Sequence, residues 1–139
     1  MSINVECMKH FTISKKENDE NYELIIDPVD VISTEWKIVC MNDISKFLKE
    51  NIPNEEDVLM LLPTYLGLSS YDNMYPEDKV FFSNLSSPET CLSILKKYDL
   101  IEKSKIIHPS ITPHLEWLKN YWMQGYTIVF NGSKRAITV

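Results

Sequence analysis

The apolar residues of this chain change period several times, and each change marks an element. Alternation or short apolar runs between turn formers mark strands, while spacings of three and four mark helices. Two strands are expected at residues 11–15 and 22–27, joined by a polar stretch over residues 16–21. The second carries Leu24, Ile25 and Ile26 in succession, as in a strand buried on both faces, and Asp27-Pro28 ends it because proline cannot donate to a ladder. A third strand is expected at residues 35–41, with Trp36, Ile38 and Cys40 on one side and Lys37 and Val39 on the other.

The period then becomes helical. Asn42 is placed to cap a helix over residues 43–51, in which Ile44, Phe47 and Leu48 form one stripe. Asn54 caps the next, with Glu55, Glu56 and Asp57 in the first turn, where negative charge meets the positive end of the helix dipole, and Pro63 stops it. Residues 64–85 hold many turn formers and aromatics and read as an irregular packed excursion with a short strand at 79–82. Ser87 before Pro88 opens a helix whose inner face carries Cys91, Leu92, Leu95 and Tyr98. Thr112 before Pro113 opens the last helix, with Leu115, Leu118 and Trp122 on one stripe and His114, Trp117 and Tyr121 on an adjoining one, and Gly125 ends it.

Asn131-Gly132 favours the two positive φ values of a type I′ turn and lies between β-rich runs at residues 126–130 and 133–139. A two-residue loop sets Ile128 opposite Arg135, so the only arginine in the chain lays its stem over the apolar face of a hairpin. The whole reads as α+β: one domain over residues 1–139, a mostly antiparallel sheet with about four helices packed on it and a C-terminal β-hairpin.

With 139 residues, 44% of them hydrophobic, the chain is long enough for one continuous core without staples. Its longest apolar run, residues 58–62, is too short to cross a bilayer, and the N-terminus has no apolar signal region, so a cytoplasmic protein that keeps away from membranes is expected. Cys7, Cys40 and Cys91 are odd in number and scattered, which suits reduced core thiols. Cys7 and His10 make half of a C-x-x-H pair with no second half, since His108 and His114 stand apart, so no structural metal is expected.

Charge changes the picture most. Of 20 acidic and 14 basic residues, 13 and 6 fall within residues 1–57, a net −7 against +1 for residues 58–139. A nucleic-acid binder would show the opposite sign, because its affinity comes from cations that displace counterions at phosphates. A basic protein partner is the charge-compatible alternative.

Candidate chemistry is incomplete at each place. Asp27 and Asp30 follow a buried strand and could hold Mg²⁺ for a small hydrolase or nuclease, but no Gly-rich loop accompanies them and a turn explains both. His108 and His114 have no nucleophile with a recognisable signature nearby in sequence, and Trp117, Tyr121 and Trp122 fall at core spacing rather than as a base-stacking platform. No cofactor is implied. The expectation is a non-catalytic binding protein, such as an immunity protein that covers a basic toxin or nuclease. Its contact residues are drawn from Asp27, Asp30, Glu35, Glu55, Glu56 and Asp57, with Trp36 as the apolar anchor. The alternatives are the metal-dependent enzyme and a structural interaction subunit.

Overall fold

A computed structural model describes residues 2–10, 12–15, 22–25, 28–62 and 86–131. The central strand of its main sheet is β1, Ser2–Met8, a segment whose alternation of Ile3, Val5 and Cys7 with Asn4 and Glu6 is a strand pattern absent from the expectations above. It pairs antiparallel with β4, Val31–Lys37, from Ser2 opposite Lys37 to Met8 opposite Val31. On its other side it pairs antiparallel with β5, Thr127–Asn131, from Asn4 opposite Asn131 to Met8 opposite Thr127. The sheet order is therefore β4-β1-β5. Strands β2, Thr12–Lys15, and β3, Tyr22–Ile25, form a separate antiparallel pair in the places expected for the first two strands.

Directly paired residues share a face, so Ile3, Val5, Cys7, Ile32, Trp36, Ile128 and Phe130 line one side of the sheet and join the helices in a single core. The other side is graded. Glu6, Met8, Thr127 and Val129 are buried there, while Ser33, Glu35 and Lys37 on β4 are exposed.

Five α-helices lie among the described residues. The first, α1, spans Ile38–Asn51 and starts earlier than expected: β4 ends at Lys37, and Ile38, Val39 and Cys40 belong to the helix rather than to a strand over 35–41. Two tertiary demands override the β propensity of that run. Pairing with β1 places the strand at Val31–Lys37, and burial of Met41, Ile44, Ser45, Phe47 and Leu48 extends the helical stripe toward the N-terminus. Lys37 is the residue before the helix and makes no side-chain cap, and Asn42 is an exposed residue inside the helix rather than its cap.

The cap signals of the next two helices hold. Asn54 caps α2, Glu55–Leu61, its Oδ1 accepting from the Glu56 amide at 2.9 Å. Ser87 caps α3, Pro88–Lys97, its Oγ accepting from the Thr90 amide at 3.2 Å. Helix α4, Leu100–Ile107, has no counterpart in the sequence pattern because its buried face is small: Leu100 and Ser104 are buried while Ile106 and Ile107 are exposed. A 3₁₀ turn over Pro109–Ile111 leads into α5, Thr112–Met123, so Thr112 is the first helical residue and not a cap; its hydroxyl instead meets Ser104 Oγ at 2.7 Å in the core.

Gly125 closes α5 as expected, at φ +88. Its amide donates to the Trp122 carbonyl at 3.0 Å, the Tyr126 amide donates to the Tyr121 carbonyl at 3.1 Å, and the rings of Tyr121 and Tyr126 meet at 5.6 Å. These are the two reversed bonds and the apolar contact of a left-handed helix stop, which turns the chain into β5. Residues 64–85, the Gly132 turn, the strand expected at 133–139 and Arg135 lie outside the described residues.

Candidate functional site

Of the residues expected to meet a partner, Asp27 lies outside the described residues. The others are divided by the fold. Asp30 stands beside the end of β1, where its carboxylate lies 3.2 Å from Nδ1 of His10 and its carbonyl accepts from the Lys9 amide at 3.1 Å. Glu35 is exposed on the outer face of β4. Glu55 and Glu56 are exposed in the first turn of α2, which packs on α1 and α3.

Asp57, next in sequence, does different work. It accepts from the Tyr98 hydroxyl at 2.6 Å and lies 3.4 Å from Nζ of Lys97, tying α2 to the end of α3. The Tyr98 hydrogen bond, with help from Lys97 and against partial burial, holds its carboxyl below the usual carboxylate range.

Trp36 is a core residue. Its side chain is 8% exposed and meets the rings of His114 at 4.8 Å, Trp117 at 5.4 Å and Phe130 at 6.0 Å. It is therefore not available as a surface anchor. The aromatics of α5 follow the core reading too, with Trp122 buried and Trp117 and Tyr121 half-buried against the same cluster.

What sequence reasoning missed is a nucleophile beside one of the histidines. Cys40 in the first turn of α1 places Sγ 3.2 Å from Nε2 of His114 in the first turn of α5, across 74 residues of chain. Both side chains are half-buried. Burial pushes the Cys40 thiol above its ordinary pKa, and the Asp43 carboxylate one turn along α1 adds to the effect. Burial also pushes His114 below the usual imidazole value, offset in part by the Ser110 carbonyl, which stands near the ring without completing a hydrogen bond to the buried Nδ1. Around neutrality the pair is thus a neutral thiol and a neutral imidazole, unlike the thiolate–imidazolium pair of a strongly activated cysteine. No signal in the sequence reveals this contact, since neither residue lies in a motif.

The other two thiols are enclosed. Burial raises Cys7 and Cys91 to about 12. His108 shares a hydrogen bond between Nδ1 and Ser110 Oγ at 2.8 Å, and its Nε2 lies 3.9 Å from Asp43, too long for a hydrogen bond. Among the described residues, no group of three or more His, Cys, Asp or Glu side chains is arranged to hold a metal ion, and no helix is long and apolar enough to cross a membrane. Comparison with protein-family models, with curated proteins and with solved structures finds no match.

Proposed function

We propose that this chain is a non-catalytic binding protein of the inhibitor or immunity type, acting in a bacterial cytoplasm, which covers a basic protein such as a toxin or nuclease. One observation carries the reading: within the acidic part of the chain, Glu55 and Glu56 stand exposed at the start of α2 with exposed Leu59 and Met60 one turn further on, each apolar residue four positions from its acid. That spacing puts each acid and its apolar neighbour on one side of the helix. Acids supply steering toward a cation-rich surface, and an apolar neighbour supplies contact area that charge alone does not.

Trp36, buried in the core, is replaced as anchor by Leu59, which is 47% exposed. Met60 is less free, since its Sδ accepts from Ser86 Oγ at 3.4 Å. Glu35 contributes field rather than contact from β4. The net charge of −6 disfavours nucleic acid as the partner.

Affinity capture from the native host followed by surface-based kinetics tests this. A basic partner is expected whose association slows as salt rises. Charge reversal at Glu55 and Glu56 together should lower the association rate by about tenfold or more, with little effect on dissociation. Leu59→Ala should act on dissociation. A partner whose association ignores both ionic strength and these acids would overturn the proposal.

A further inference from the structure

We propose that Cys40 is a site of reversible modification by low-molecular-weight disulfides, with His114 as the base that receives its proton. The pair is set apart from the other thiols by access and by partner. Cys7 and Cys91 are 0% and 2% exposed, whereas Cys40 is half-buried at the surface end of α1 and lies against an imidazole nitrogen.

Nε2 of His114 lies 3.2 Å from the thiol sulfur, so in the tautomer that carries its proton on Nδ1 the free electron pair of Nε2 faces the S–H. The Trp36 ring packs T-shaped against the imidazole, with centroids 4.8 Å apart. The charged groups around the pair are Asp43 on α1, which opposes thiolate formation, and His108, whose Nε2 faces Asp43 at 3.9 Å.

The step balances without a further reagent. The Cys40 S–H proton moves to Nε2 of His114 as the sulfur attacks one sulfur of the disulfide. A new S–S bond forms, the old one breaks, and the departing thiolate takes the proton from His114 and leaves as a thiol. Cys40 is oxidised by the disulfide, half of which is reduced. A thiol reductant reverses the exchange. The adduct removes the Cys40–His114 hydrogen bond at the seam between α1 and α5.

The test uses the full chain, folded, with oxidised glutathione or hydroxyethyl disulfide and peptide-mapped mass spectrometry. One adduct is expected, on Cys40, with Cys7 and Cys91 unmodified until the protein is unfolded. His114→Gln should slow the reaction by about tenfold or more, toward the contribution of a positioned base. The wild-type rate should rise through the His114 titration, below the ordinary imidazole range, and then level before the thiol itself ionises. The pH profile decides the matter even if the variant fails to fold. An unassisted thiol would instead gain about tenfold per pH unit throughout, in proportion to its thiolate fraction, and that profile would overturn the proposal. So would an adduct distributed equally over the three cysteines, or a folded His114→Gln protein that reacts at the wild-type rate.

Discussion

Replacing Trp36 by alanine distinguishes a core residue from a binding anchor, and the structure fixes the expected size of the effect. The indole is 8% exposed and touches three rings, those of His114, Trp117 and Phe130. Truncating a buried tryptophan to alanine costs about 3–5 kcal/mol through lost transfer free energy and a cavity that the surroundings fill only in part. The three ring contacts and the nearly complete burial place this site in the middle of the range, about 4 kcal/mol. A chain of 139 residues is expected to have a stability of about 7–15 kcal/mol, so the loss is about a quarter to somewhat over half of the total. With a urea dependence of about 2 kcal/mol per molar, the unfolding midpoint should fall by about 2 M while the slope stays unchanged. Far-UV circular dichroism is the suitable probe, because the substitution alters tryptophan fluorescence directly. Trp36→Phe keeps one ring in the cluster and should recover more than half of the loss. A midpoint shift below about 0.5 M would be the behaviour of an exposed position and would refute the core assignment.

Two further outcomes follow from polar contacts. The folded-state pKa of Asp57 is depressed, so its contribution is fully present above the unfolded carboxylate value of roughly 3.9 and is lost as pH falls through the lower folded value. Asp57→Asn should therefore be destabilised relative to wild type near neutrality, with the difference shrinking in urea titrations below about pH 4; a gap that stays constant from pH 7 to about pH 2 would show that the carboxylate charge is irrelevant. In the core, Ser104 Oγ donates to the Ile101 carbonyl at 2.7 Å and so can only accept from Thr112, 2.7 Å away. Ser104→Ala strands the Thr112 hydroxyl and should cost about 1–3 kcal/mol, whereas Thr112→Val leaves Ser104 bonded and should cost less; the reverse ranking in thermal unfolding would contradict this donor order.

Much of the fold was legible where a residue's own chemistry decides its backbone. The Asn54 and Ser87 caps, the proline behind Ser87 and the positive-φ Gly125 each act within one turn, so their positions follow from sequence. So does the buried stripe of Leu115, Leu118 and Trp122, because helical period and burial agree there. The α+β class was legible for the same reason, although β1 and α4 had no counterpart in the expected elements and residues 38–40, read as strand, are helical.

Where two local preferences compete, only tertiary partners choose. The run Ile38-Val39-Cys40 extends a strand by propensity, yet it opens α1 because β1 pairs with Val31–Lys37 and the helical stripe begins at Met41. β1 itself carries Asn4 and Glu6 among its apolar residues, and it becomes the central strand only because β4 and β5 supply ladders on both sides. The candidate sites divide in the same way. Sequence alone settles the charge asymmetry, because charge is additive along the chain. Burial of Trp36 under the rings of α5 and β5, withdrawal of Asp57 to Tyr98 and the meeting of Cys40 with His114 depend on contacts across 41 to 94 residues of chain, which only tertiary packing determines.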